Sequence, residues 1–275
     1  MNNKVEANLK FIVPQDSKPF FESSEYTGTV PKIHFKTEYR PVNILDIRNN
    51  LSKFTFEKNG FELLNHKSSI KDFYNHNEVK KIYASELKHF LIERFNANDV
   101  FIFDYTRRSD GTKGAKNPDG LRGPADRLHA DYTDISGPQR AKDVLGVDKY
   151  NKIIDQGGRI VQLNIWRPIN GPIKRSPLAF ADAASIPKSD LVETDQIFTN
   201  RTGEIYHISY SKKHKWYWVP NMTDDEILLL KGWDSHHGEV IKYTPHGAFE
   251  LPNQSESHPP RESIEARIFL VFNKS

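Results

Sequence analysis

From residue 77 to 97, in "NEVKKIYASELKHFLIERFNA", the apolar positions Val79, Ile82, Tyr83, Leu87, Phe90 and Leu91 fall three and four apart. A helix repeats about every 3.6 residues, so this spacing predicts an amphipathic helix with its apolar stripe on a core. "DVFIFDYTRR" at 99–108 predicts a buried strand, and "PVNILDIR" at 41–48 another. "FTFEKNGFELLNH" alternates around Asn59-Gly60, which predicts a hairpin. "PQRAKDVLGVDKYNKIIDQ" at 138–156 predicts a second helix.

Beyond these, "RIVQLNIWRPI", "PLAFADAASI", "EIYHISYS", "KWYWVP", "EVIKYTPHGAF" and "ESIEARIFLVF" read as short strands rich in β-branched and aromatic residues, with turns between them. One short helix is expected among them, "MTDDEILLLKGW", with Thr223 and Glu226 spaced as a capping box. Residues 1–40 are rich in turn formers and are expected to be an extended arm. A Gly/Pro-punctuated loop is expected from Ser109 to about Arg127.

Helices therefore gather in the first half and strands in the second. That order predicts an α+β, mainly β chain: a double-sheet jelly roll, cupin-like, braced by N-terminal helices. A length of 275 residues fits one domain over 1–275, with 1–40 as the arm and 41–275 as the core. A formal charge of +3, with acidic and basic residues interspersed, gives no footprint for nucleic acid. No stretch approaches the roughly 20 apolar residues of a membrane span, and no secretory leader is visible, so a cytoplasmic protein without membrane partners is expected. The absence of cysteine excludes disulfides, thiolate metal sites and cysteine nucleophiles. Nothing in the sequence bears on oligomeric state.

The chemistry concentrates in "RLHADYT" at 127–133. Residues two apart on a strand share a face, so His129 and Asp131 aim together. One imidazole and one carboxylate can share a divalent ion. A second histidine would complete the two-histidine, one-carboxylate set that leaves positions open on a non-haem Fe(II). A surface pair beside a turn is the plainer alternative. Among the eleven histidines, His246 in "YTPHGAFEL" lies at a strand entry and is the first choice, with His207 in "IYHISY" as its rival. Arg261 follows His246 by 15 residues in "PRESIEARIFLVF", where Arg261, Ser263, Glu265 and Arg267 share one face. An arginine fork with a nearby hydroxyl suits the far carboxylate of a dicarboxylate such as 2-oxoglutarate. Arg261 and Arg267 both qualify, and a salt bridge to Glu262 or Glu265 is the alternative role for either.

These segments together resemble the non-haem Fe(II)/2-oxoglutarate hydroxylase/desaturase family. The resemblance runs from about residue 40 to the end. It is carried by "PVNILDIR", "NGFELLNH", "FIFDYTRR", "LHADYTD", "LNIWRPI", "PLAFAD", "KWYWVPNMTDDEILLLKGWDS", "PHGAFELP" and "RESIEARIFLVF", in that order. It implies a double-stranded β-helix core, Fe(II), 2-oxoglutarate as cosubstrate, dioxygen and a small-molecule substrate that is hydroxylated or desaturated, with release of succinate and CO2. It carries His129, Asp131 and His246 over as metal ligands and Arg261 as the cosubstrate anchor. Asn164, Trp166 and Arg167 match a signature stretch expected to line the same pocket. Tyr105 and Arg107 are weaker pocket candidates, and Tyr105 stands where many relatives have a histidine. Two other functions fit the same residues: a non-catalytic cupin-like binding or accessory protein, and a zinc or iron hydrolase that works without oxygen.

Overall fold

The computed structural model describes residues 4–28, 30–117, 120–236, 238 and 241–274. The helix expected at 77–97 forms as His76–Glu78, a π-helical turn Val79–Tyr83, and Ala84–Phe95. Val79, Tyr83, Leu87 and Leu91 are buried along its stripe. The π turn inserts an extra residue into the ladder, which rotates Ile82 out of that stripe to 37% exposure.

The strands, in chain order, are β1 Lys4–Ile12, β2 Phe20–Glu22, β3 Lys32–Ile33, β4 Thr37–Asp46, β5 Phe61–Asn65, β6 Asp99–Ser109, β7 Ala115–Asn117, β8 Gly120–Arg122 and β9 His129–Ala130. They continue with β10 Arg159–Pro168, β11 Leu178–Ala181, β12 Leu191–Ile197, β13 Thr202–Ile208, β14 Trp216–Trp218, β15 Glu226–Asp234, β16 His246–Ala248 and β17 Glu262–Phe272. Ten of them form one sheet, ordered β1-β4-β14-β11-β16-β9-β13-β12-β2-β3. Five form a second, β5-β15-β10-β17-β6, and β7 and β8 pair by themselves.

The two larger sheets enclose an apolar layer in which Phe61, Trp166, Leu228 and Leu230 of the smaller sheet meet Leu178, Phe180 and Tyr217 of the larger. The other face of the smaller sheet, with Leu163, Ile165, Ile227, Leu229, Ile264 and Ala266, packs on Val79, Tyr83, Leu87 and Leu91 of the helix. Burying each such leucine contributes about 1.5–3 kcal/mol, so this contact and not helix propensity holds the helix in place. The expected architecture, a mainly β jelly roll braced by helices, is the observed one. Among the described residues no helix is long and apolar enough to cross a membrane.

Six local expectations differ from what the chain does. Residues 4–40 are not a free arm: β1 pairs along its whole length with β4, and Leu9, Phe11 and Ile12 are buried. Asn59-Gly60 ends a helical turn instead of opening a hairpin. Thr55 caps Phe56–Asn59 by accepting from the Lys58 N–H, and Gly60, at φ 85°, supplies the left-handed exit. "EILLLKGW" is strand β15, buried on both faces, with Leu228 and Leu230 inward and Ile227 and Leu229 toward the helix. The Thr223–Glu226 contact does form, the Thr223 N–H donating to Glu226 Oε2 at 2.8 Å, but it closes a turn. Gly146, at φ 86° and ψ 144°, splits the expected 138–156 helix into Ser136–Leu145 and Val147–Asp155. The loop expected from Ser109 to Arg127 carries the β7–β8 hairpin. Of the strand expected in "EVIKYTPHGAF", only His246–Ala248 forms, and Glu239 and Val240 lie outside the described residues.

Candidate metal centre

β9 is only two residues long, set in the larger sheet between β16 and β13. His129 is the register partner of His246 on one side and of His207 on the other. Asp131 lies at the bend that follows, not on a longer strand. One ligand atom each from His129, Asp131 and His246 lie within 4.8 Å of one another.

Backbone carbonyls fix how the imidazoles present themselves. His129 Nδ1 is 2.8 Å from the Arg127 carbonyl, and His246 Nδ1 is 2.9 Å from that of Thr244. A carbonyl only accepts, so each Nδ1 donates, and Nε2 is the ring nitrogen left to face a ligand. His246 Nε2 is 3.7 Å from Asp131 Oδ2. Burial, then the neighbouring His246, pushes the His129 pKa down to about 3, so this ring is neutral. Burial works against ionising Asp131. The Arg267 charge, the two imidazoles and the Asn164 amide outweigh it and hold the carboxyl well below its usual range. The cluster thus offers imidazole nitrogens and an ionised carboxylate, a donor set that suits Fe(II).

His207, the rival third ligand, is not in this group. Its ring packs near Phe21 and Phe35, with centroids 5.8 and 4.9 Å away. His214 pairs with Asp190 at 2.8 Å, and His66 accepts from Arg167. His237 lies outside the described residues.

The wall beside the cluster is the inner face of the smaller sheet. Asn164 donates from Nδ2 to Asp131 Oδ2 at 2.6 Å, and its Oδ1 accepts from Gln162 Nε2 at 2.7 Å. The Gln162 amide fits because residue 232 is glycine: a Cβ there would sit 1.7 Å from Gln162 Oε1. Arg267 is occupied. It donates to Asp104 Oδ2 at 2.5 Å and Thr106 Oγ1 at 3.0 Å, pairs with Glu265 at 2.6 Å and lies 3.6 Å from Asp131 Oδ1.

Arg261 is differently placed. It is buried, and its guanidinium makes one hydrogen bond among the described residues, from Nη1 to the Ser176 carbonyl at 2.8 Å. Its Nε is buried without a partner. Burial, then the charge of Arg108, lowers its pKa to about 10. Trp166 belongs to the core between the sheets, and the Arg261 guanidinium lies 5.6 Å from its ring centroid. Ser263 is buried on the same face.

Alternation sends other candidates away. Arg167, one residue past Trp166, points to the helix side, where it donates to the Asp224 carbonyl at 2.7 Å and to His66, and lies over Phe73 and Tyr83. Arg107 donates from Nε to the Phe73 carbonyl, and Tyr105 packs on the same helix-side core. Their neighbours Asp104, Thr106 and Arg108 share the register face of Arg267, Glu265 and Ser263. Sequence reasoning missed Gln162, Gly232 and Asp104. The period of two counted from Arg267, once β6 is paired with β17, would have found Asp104.

The family model described as "Oxidoreductase/YMDC permease-like domain" matches residues 9–272. The chain is 31% identical over 271 residues to the hydroxylase/desaturase efuI of Hormonema carpetanum, covering 89% of this chain and 88% of the relative. It is 28% identical over 276 residues to the alpha-ketoglutarate-dependent dioxygenase phiK of a fungal species, covering 98% and 96%. Among solved structures, one of the iron and alpha-ketoglutarate-dependent endoperoxidase NvfI superposes over 100% of both chains with a TM-score of 0.84 at 21% identity, which shows a shared fold.

Proposed function

The chain belongs to the Fe(II)/2-oxoglutarate-dependent hydroxylase/desaturase dioxygenases, and from that premise we propose that His129, Asp131 and His246 hold its ferrous ion and that Arg261, with Ser263, anchors the far carboxylate of 2-oxoglutarate. The chain is an oxidoreductase of the double-stranded β-helix fold that hydroxylates or desaturates a small organic molecule and releases succinate and CO2. Fe(II) with 2-oxoglutarate would supply the activation of dioxygen there. We take residues 1–275 as a single oxygenase unit, since both large sheets contribute to one apolar layer.

The observation that carries the ligand assignment is the pair of carbonyl-tethered imidazoles turned toward one buried carboxylate. The protein's part in the reaction is to hold that set rigid. The Arg127 and Thr244 carbonyls fix both rings, and Asn164 and Arg267 fix Asp131 from two sides. The anchor assignment is supported by contrast: Arg267 spends its donors on Asp104, Thr106 and Glu265, whereas Arg261 keeps donors free. A buried cation short of acceptors is a site for an anion's carboxylate.

The test is succinate formation by purified protein with Fe(II), 2-oxoglutarate and oxygen, repeated without oxygen. No succinate in air would overturn this reading, and so would substrate turnover that persists without oxygen, which would point to hydrolysis.

A further inference from the structure

Resting on the oxygenase reading above, we propose that the organic substrate is a largely apolar molecule with a carbonyl oxygen, and that His207 and Arg127 hold this oxygen beside the metal centre.

His207 lies on the metal-bearing face of the larger sheet. Tyr217, Phe180, His246, His129, His207 and Val192 are successive register partners across β14, β11, β16, β9, β13 and β12. Directly opposed residues of a ladder point to the same side. Phe180 and Tyr217 look inward, onto the smaller sheet. The whole row therefore faces inward, and His207 is the next side chain after the two imidazoles of the metal centre.

Arg127 belongs to the same face. Leu128, between it and His129, packs on the opposite side with Leu9 and Phe11. The Arg127 carbonyl holds His129 Nδ1 at 2.8 Å, and its guanidinium lies 5.1 Å from the centroid of Phe21. The His207 ring packs on that same phenyl, with centroids 5.8 Å apart, and on Phe35 at 4.9 Å. Phe21 thus seats both side chains.

Their polar atoms have no use within the described chain. His129 and His246 each spend Nδ1 on a carbonyl. His207 Nδ1 is buried without a partner, in a residue 2% exposed. Among the described residues its ring makes no hydrogen bond, and the Arg127 side chain makes neither a hydrogen bond nor an ion pair. Leaving one buried polar atom unpaired costs about 1–3 kcal/mol, so an orphan in this position points to a contact made with a ligand. Ile12, Ile33, Val192 and Ile205 make the surroundings apolar. An apolar wall with a few fixed polar groups is how small-molecule sites are built. Arginine only donates and an imidazole N–H donates, so the group they share must accept; a carbonyl oxygen offers two lone pairs.

The probes are acetophenone and ethylbenzene, alike in size and shape and different in the oxygen. They are titrated without dioxygen into Fe(II)-loaded protein with 2-oxoglutarate and followed by ligand NMR. Acetophenone is expected to bind about 5- to 10-fold tighter. Its methyl signal should broaden with Fe(II) and not with Zn(II), because only the paramagnetic ion shortens relaxation nearby. His207→Phe, checked for folding by thermal melting, should bind both probes alike while keeping its iron. His207→Gln, which keeps a donor, should recover part of the preference, and Arg127→Met should reduce it. The proposal is overturned if the wild type binds neither probe, binds both equally, or shows no Fe(II)-dependent broadening; the orphan nitrogen then serves only a water. It is equally overturned if folded His207→Phe keeps the preference, or if it loses iron, which would make His207 a support of the metal. The wild-type comparison decides alone should His207→Phe not fold. If no succinate forms while the preference still follows His207, the oxygenase reading fails and the carbonyl site stands.

Discussion

His246 lies directly across the strand ladder from His129, and their imidazole centroids are 4.7 Å apart. Adjacent strands of one sheet therefore bring together two side chains separated by 117 positions in the chain (129 to 246). His129→Ala and His246→Ala are each expected to lose most bound iron and all 2-oxoglutarate-dependent succinate while keeping a native circular dichroism spectrum. Metal analysis of the purified variants checks this, and full metal content with full turnover in both would refute the assignment.

Arg261 and Arg267 should separate cleanly. Losing charge-assisted bonds worth about 1.5–3 kcal/mol, Arg261→Ala is expected to raise the KM for 2-oxoglutarate about 10- to 100-fold. Arg267→Ala instead strands Asp104 and Glu265, so its main effects are on stability, about 3–5 kcal/mol, and on metal retention. Steady-state kinetics paired with denaturant melts reads both. A larger KM effect at 267 would move the anchor there.

The Gln162–Asn164–Asp131 chain predicts that a substitution outside the cluster reaches the metal. Gly232→Ala would drive a methyl group into Gln162 and disturb the Asn164 contact. Gly232→Ala and Asn164→Ala are each expected to weaken iron binding about 10- to 100-fold, as loss of a ligand's supporting hydrogen bond typically does. Iron titration in competition with a chelator measures it, and unchanged affinity in Asn164→Ala would remove Asn164 from this role.

Glu226 gives a pH prediction away from the site. Arg48 grips it with two bonds, at 2.7 and 2.9 Å, while the Thr223 N–H donates to it. Burial opposes the charge, but these partners prevail and hold its pKa below the ordinary 4.5. A depressed folded pKa means the stabilisation is complete above about 4.5 and fades as pH falls through the folded value. Glu226→Gln should therefore cost about 1–3 kcal/mol at neutral pH and progressively less in acid. Thermal melts of both proteins across pH check this, and a constant difference would count against the pair.

Much of this was legible in the sequence, and the failures have causes. Period-two alternation located β6, β10 and β17, and with them the face holding Arg261, Ser263, Asn164 and Arg267. The same alternation, applied strictly, excludes Arg167 beside Trp166; only a motif match had put it in the pocket. "EILLL" carries no period because β15 is covered on both faces, and a buried strand then cannot be told from a buried helix. Asn59-Gly60 satisfies a helix exit as readily as a hairpin, since both need a left-handed residue. Packing, which sequence spacing does not encode, brings His246 beside Asp131 and turns His207 toward Phe21 and Phe35.

The position of β17 has a consequence for how the molecule is made. Strand β17 sits inside the smaller sheet, flanked by β10 and β6, both of which precede it in the chain. Until the ribosome has released residues 262–272, those two flanks have no strand between them. Arg261 and Arg267 likewise emerge only after both flanking strands. A nascent chain stopped before β17 thus lacks the proposed cosubstrate anchor, and deleting β17 should leave an aggregation-prone remnant instead of a weaker enzyme.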